Sequence, residues 1–233
     1  MPRIVSHADW IAARTKFLAK EKEFTRLRDE LSRERREMPW ERVEQDYEFA
    51  GPHGKRSLSG LFDGKSQLLL WHFMYGPQWK EGCPSCSFWA DNYDGIVVHL
   101  RHRDANLVAV SRAPLEQLEA YQKRMGWTFD WYSSLGSDFN FDFGVSFTPE
   151  QLESGTGTYN YAPLRSKHEE LPGLSVFFKD VDGTVFHTYS AYSRGLDMLN
   201  GAYHQMDVLP KGRDEDGLPY TMAWLRRHDR YED

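Results

Sequence analysis

Apolar residues recur at Trp10, Phe17, Phe24 and Leu31, one every seven positions, with Ala13 and Leu27 beside them and mostly charged residues between. That spacing predicts a long amphipathic helix, entered through a cap at Ser6 and Asp9 and stopped at Pro39. The runs Lys20-Glu21-Lys22-Glu23 and Arg33-Glu34-Arg35-Arg36 read as its solvated face. The narrow apolar stripe reads as a surface for packing on the core or on another subunit.

Past Pro39 the period changes. Tyr47 to Ala50 with the turn Gly51-Pro52-His53-Gly54 predicts a strand and hairpin, and Leu58 to Phe62 one helical turn. Leu68 to Tyr75, the most apolar run, predicts a buried strand; Cys83 to about Arg103 then predicts a helix. Leu107 to Ser111 predicts a strand, and Pro114 to Met125 a helix with proline in its first turn and Gly126 as its stop. Trp127, Phe129 and Trp131, and later Phe139, Phe141 and Phe143, alternate with polar residues in the manner of half-buried strands. Leu174 to Lys179 and Val185 to Ala191 bracket Asp180-Val181-Asp182-Gly183 and predict a β-hairpin, followed by a helix from about Gly195 to Met206. A closing loop around Lys211 to Asp216 and a packed tail around Met222 to Leu225 complete the chain. The order is βαβα, then ββα, an α/β fold with a central mixed sheet flanked by helices.

With 233 residues and 40% hydrophobic composition, the chain has material for one sizeable core. A formal charge of -6, with no Lys/Arg cluster interleaved with aromatics, gives no footprint for nucleic acid. The first ten residues lack the apolar segment of a signal peptide, and the run from Leu68 is too short to span a bilayer. The expectation is a soluble cytoplasmic protein without nucleic-acid or membrane partners.

Only two cysteines occur, in Cys83-Pro84-Ser85-Cys86, where the longest apolar strand gives way to a helix. In a reducing compartment so short a loop is poor as a structural staple, and redox chemistry or metal binding is the better reading of the pair. If Cys83 is the N-cap and Pro84 occupies the first helical position, free backbone N–H groups face the Cys83 sulfur and favour thiolate. Cys83 is then the nucleophile, and Cys86, one turn in, resolves the mixed disulfide. Lys80 adds a cation three residues before Cys83, opposed by Glu81, while Trp79, Phe88 and Trp89 stand close enough in sequence to wall a recess.

Cys83-x2-Cys86-x12-His99-x2-His102 approaches a Cys2His2 zinc pattern. On a continuous helix, however, Cys83 and His99 stand about 24 Å apart, so no metal is expected. Asp138, Asn140 and Asp142 imitate an EF-hand start, yet Phe143 replaces its glycine and Pro149 its glutamate. Ser87 follows Cys86 where haem attachment needs His, and no phosphate loop or dinucleotide fingerprint occurs, so no cofactor is expected.

The segments Trp71-His72-Phe73-Met74-Tyr75-Gly76-Pro77, Gly82 to Phe88, Val110-Ser111-Arg112-Ala113-Pro114, Gly136 to Asn140 and Pro210 to Glu215 resemble the bacterial thioredoxin-like family catalogued as domain of unknown function 899. The resemblance covers nearly the whole chain. It implies a thioredoxin-like fold over residues 40–233, with an insertion and a C-terminal tail, behind an N-terminal helical extension over residues 1–39. It also implies dithiol-disulfide oxidoreductase activity. Pro172, ahead of the late strand, takes the place of the proline loop that packs beside the cysteines in thioredoxins. The partners so implied are a disulfide-containing protein or small thiol and an external thiol reductant. Two alternatives stand beside this: a peroxiredoxin-like thiol peroxidase, which normally has Thr or Ser where Lys80 stands, and a noncatalytic dimeric scaffold.

Overall fold

The computed structural model describes residues 3–232, and contacts divide the chain into two compact units, one ending at Pro39 and one beginning at Trp40. The first is a single helix, α1 (His7–Glu37), with the Ser6 side chain accepting the Asp9 backbone N–H at 3.1 Å. Its apolar side chains, among them Trp10, Phe17, Phe24, Leu27 and Leu31, are exposed.

The second unit carries β1 (Glu41–Arg42), β2 (Glu48–Gly51), β3 (Gly54–Ser57), β4 (Gln67–His72), α2 (Pro84–Ala90), α3 (Asp94–Arg101), β5 (Ala105–Ser111), α4 (Leu115–Met125) and β6 (Asp130–Ser133). There follow α5 (Phe139–Asp142), α6 (Pro149–Ser154), β7 (Thr158–Tyr159), β8 (Ala162–Pro163), β9 (Gly173–Lys179), β10 (Val185–Tyr192) and α7 (Gly201–Met206). The main sheet has the order β1-β10-β9-β4-β5-β6-β2-β3. β4 runs parallel to β5 and β5 to β6, whereas β9 is antiparallel to β4 and to β10. The block β10-β9-β4-β5, made of a βαβ unit and a ββα unit, is the thioredoxin-like core expected from the order of elements.

Alternation along β4 sends side chains to two cores, as the pleat requires. Trp71 and Phe73 join Cys86, Trp89, Leu107, Ala109 and Trp131 on one side. Leu68 and Leu70 join Phe49, Phe62, Val108, Val110, Phe139 and Phe177 on the other.

Four local expectations fail, each for a tertiary reason. The single helix from Cys83 to Arg103 is broken at residues 91–93 into α2 and α3. There the backbone tightens to i−3 bonds (Asn92 N–H to Trp89, Tyr93 N–H to Ala90), the Asn92 amide caps the Phe88 carbonyl at 2.8 Å, and Asp91 and Asp94 accept from Trp127 and Thr128 at 2.7 and 2.8 Å. Phe139, Phe141 and Phe143 lie not on a strand but on and just past α5. Phe139 and Phe143, four apart, both stack on His72, while Phe141 lies under the Arg112 guanidinium at 4.4 Å. Trp127 and Phe129 precede β6 rather than forming a strand, although both are buried with Trp131. The last expected helix is split, with a 3-10 stretch Ser193–Leu199 ahead of α7, because the Asn200 side chain caps a new start by accepting the Tyr203 N–H at 3.0 Å.

Candidate active site

The segment after β4 returns on itself. The Cys83 N–H donates to the Met74 carbonyl at 3.0 Å, and the Met74 N–H donates to Cys86 Sγ at 3.4 Å. The cysteine motif is thus pinned at both ends to Met74, two residues past β4. Gly82 is needed at the turn, since a Cβ there would stand 2.7 Å from a Phe73 ring carbon and 3.0 Å from one of Tyr121.

Cys83 is the N-cap of α2 and Pro84 its first residue, as the sequence predicts. Both thiols are free; Cys83 is half-buried and Cys86 buried. Their titrations are driven apart. A hydrogen bond from the Cys86 thiol is the largest influence on Cys83; against the cost of burial it is helped by the backbone N–H groups of Cys86 and Ser85 and by the Arg227 charge, and the Cys83 pKa falls to about 7. Burial is the largest influence on Cys86 and pushes it up, as do its bond to Cys83 and the charge there. The Met74 N–H works the other way, favouring a Cys86 thiolate.

Arg227 comes from the C-terminal tail. Its Nη2 and Nε donate to the Gly82 carbonyl at 2.7 and 3.2 Å, its Nε also donates to the Tyr121 hydroxyl at 2.9 Å, and its Nη1 pairs with Glu81 at 3.0 Å. Tyr121 in turn meets Ser87 at 2.9 Å, and Ser87 Oγ donates to the Cys83 carbonyl at 2.9 Å. Arg124 holds Glu81 and Asp229 at 2.6 Å each, tying the tail to α4. The Arg124 hydrogen bond draws Glu81 down, and three guanidinium groups (Arg124, Arg227 and Arg230) offset its negative charge. Lys80, by contrast, is exposed, and its carbonyl accepts the Tyr75 hydroxyl at 3.2 Å. The cation beside Cys83 is therefore Arg227 rather than Lys80. No local spacing announces it, because 144 residues of chain separate it from Cys83 (227 − 83 = 144).

A cavity of about 300 Å³ opens beside Cys86, with Trp71, Met74, Trp89, Leu171, Pro172 and Met222 among its walls and Arg194 and Asp197 also lining it. Pro172 lines the same cavity as Cys86, and among the described residues every peptide bond is trans. Tyr159 fixes that loop by donating its hydroxyl to the Pro172 carbonyl at 2.7 Å. Of the three aromatics near the thiols, Trp89 lines the cavity; Trp79 donates to Glu169 at 2.7 Å, and Phe88 packs edge-on against Tyr203 and Trp224. His72 is remote from the thiols in role as well as in face: it stacks on Phe139 and Phe143, bonds Ser175 at 2.8 Å, and burial holds it neutral with a pKa of about 3.

His99 and His102 are exposed on and at the end of α3, and the helix break removes the premise of one rigid rod between them and the cysteines. Among the described residues, no three His, Cys, Asp or Glu side chains group to hold a metal ion. Among them too, no helix is long and apolar enough to cross a membrane.

A family model described as "Bacterial protein of unknown function (DUF899)" matches residues 1–231. The chain belongs to that family. No curated protein matches it. Solved structures similar to it include the peroxidoxin BcpB from Mycobacterium tuberculosis, 16% identical, with 69% of this chain and 92% of that one covered and a TM-score of 0.46. PrxQ from Xylella fastidiosa, in a cysteine-to-serine form, is 12% identical over 71% and 95% of the two chains, with a TM-score of 0.45. The bacterioferritin comigratory protein from Xanthomonas campestris is 11% identical over 70% and 93%, with a TM-score of 0.44.

The Arg227 contacts carry a prediction. Arg227→Gln removes the cation but keeps a hydrogen-bonding group, so the pH midpoint of Cys83 alkylation rises by about 0.5–1 unit. Rates of iodoacetamide labelling across pH 5–10, resolved by mass, read this directly; an unmoved midpoint removes Arg227 from the electrostatics of the thiol.

Proposed function

We propose that this DUF899 protein is a thiol–disulfide oxidoreductase working through Cys83 and Cys86. The observation that carries the reading is the opposed tuning of the pair: a half-buried thiol drawn down to about pKa 7 by its fully buried neighbour, and a neighbour held protonated. A thiol titrating near ambient pH combines a useful thiolate fraction with good nucleophilicity.

The Cys83 thiolate attacks one sulfur of a substrate disulfide, forming a Cys83–substrate bond and expelling the other sulfur as thiolate. That bond removes the negative charge from Cys83, and with it one of the influences that keep Cys86 protonated. Cys86 then loses its proton, with the Met74 N–H placed to accommodate the charge, and attacks Cys83 Sγ. The second substrate thiolate leaves, and a Cys83–Cys86 disulfide remains. The substrate has gained two electrons, and an external dithiol returns them to the protein. The apolar cavity beside Cys86 suits a substrate that flanks its disulfide with hydrophobic groups.

Equilibration in dithiol buffers of graded potential, followed by alkylation and mass counting of free thiols, tests the reading. One reversible two-electron transition is expected, absent in Cys83→Ser and in Cys86→Ser. Two thiols that remain reduced across the series refute it. Consumption of hydrogen peroxide at the expense of a thiol donor, without reduction of a model disulfide, moves the assignment to a peroxidase.

A further inference from the structure

Helix α1 extends for 31 residues and buries none of them. Most helices in proteins owe their stability to a face packed on a partner, and an apolar seam of more than four turns is the kind a coiled coil uses. With Trp10, Phe17, Phe24, Leu31 and Met38 at heptad position a, position d falls on Ala13, Lys20, Leu27 and Glu34. Phe24 is 66% exposed and Leu27 63%, so the seam is open in the single chain.

The flanks identify the occupant. Position g reads Asp9, Lys16, Glu23, Glu30 and Glu37, acidic except at Lys16; position e reads Arg14, Glu21, Arg28 and Arg35, basic except at Glu21. A parallel two-stranded coil sets each g residue against the e residue five positions later on its partner, whereas an antiparallel one sets g against g and e against e. Antiparallel pairing therefore brings acid to acid and base to base. Parallel, in-register pairing of two copies instead gives Asp9 with Arg14, Lys16 with Glu21, Glu23 with Arg28, and Glu30 with Arg35, every pair of opposite sign. The two exceptions to the flank pattern coincide in one pair. A slip by one heptad would set Lys16 against Arg28 and Asp9 against Glu21, so that inversion fixes the register.

We propose that α1 is a homodimerisation element: two copies of this chain join through their α1 helices in a parallel, in-register coiled coil. In the single chain Arg14 pairs along its own flank with Glu21 at 2.8 Å, and in the dimer both exchange that bond for the partner's g residues. Arg33, at position c, pairs with Glu37 at 2.7 Å and with Glu30 at 3.7 Å, and in the dimer Glu30 shares its carboxylate with the partner's Arg35. Lys20 and Glu34 are polar d positions, which cost stability and make association dependent on concentration.

The test is sedimentation equilibrium of the full chain. The wild type approaches twice its 27.3 kDa mass as concentration rises. Lys16→Glu alone, which sets acid against Glu21 at two symmetry-related places, weakens the dimer about tenfold, and Lys16→Glu with Glu21→Lys restores it. Lys16 and Leu31 are exposed and Glu21 half-buried, and unchanged near-ultraviolet circular dichroism of the aromatic core verifies folding. Orientation is read separately: Leu31→Cys, in a Cys83→Ser, Cys86→Ser background, oxidises to a covalent dimer when the helices are parallel and in register. A monomer at all concentrations, a dimer indifferent to Lys16→Glu, or failure of the Leu31→Cys link would each overturn the proposal.

Discussion

Cys86→Ser arrests the protein as a covalent mixed disulfide. Cys83 still attacks in that variant, but nothing within reach displaces the substrate, and turnover of a model disulfide falls by on the order of a thousandfold or more. Intact mass then shows the chain plus one substrate half, released by added dithiol. Cys83→Ser gives the same loss of turnover with no adduct, because Cys86 is buried and burial holds it protonated. The contrast between the variants matters more than either loss. Adducts on Cys86 in Cys83→Ser would reverse the assigned roles, and full turnover in either variant would remove the pair from the chemistry. Cys86→Ala, which unlike serine leaves no donor, also deletes the largest influence lowering Cys83, so its adduct forms with a midpoint shifted above pH 7.

Trp131→Ala destabilises the fold by about 3–5 kcal/mol, the range for a large aromatic removed from a packed core. Trp131 is 2% exposed on β6, tilts against Phe73 at 4.6 Å between ring centroids, and donates its indole N–H to Ser111 Oγ at 3.1 Å. It also packs edge-on against Tyr121, which holds both Ser87 and Arg227. Urea unfolding followed by circular dichroism measures the stability, and Cys83 labelling at pH 7, in buffer where the variant remains folded, measures the coupling to the thiol. A loss under about 1 kcal/mol would mean the aromatic cluster repacks around the void.

The core of the fold was legible because its signals are local. Leu68 to Trp71 and Leu107 to Val110 are unbroken apolar runs that become the parallel pair β4 and β5, and Asp180 to Gly183 closes the β9–β10 hairpin where its composition says it should. The cysteine motif was equally legible, since a Cys-Pro-x-Cys after a strand has few ways to fold. What escaped was decided at a distance. Asn92 reads as one polar residue within a helix until the Gly201 N–H that donates to its Oδ1 at 3.0 Å is seen. Phe139 and Phe143 satisfy a period of two as well as a spacing of four, and only the rings of Tyr47 and Phe49 closing on Phe139 select the helix. Arg227 escaped for the same reason: its partners Gly82, Glu81 and Tyr121 all lie more than a hundred residues back along the chain.

The order of the sheet and the makeup of the cavity wall also bear on how the chain is synthesised. β4 receives its antiparallel neighbour only when β9, ending at Lys179, has been made, and the wall over Cys86 is completed by Thr221 and Met222. At about 5–20 residues per second, translation leaves Cys86 without that cover for roughly 7–27 s after it is incorporated. During that interval Arg227 has not yet been made, and its charge is missing from the surroundings of Cys83. A nascent chain thus exposes Cys86 to cross-linking from which burial shields it in the finished protein, and expression under oxidising conditions would damage Cys86 first in the newest molecules.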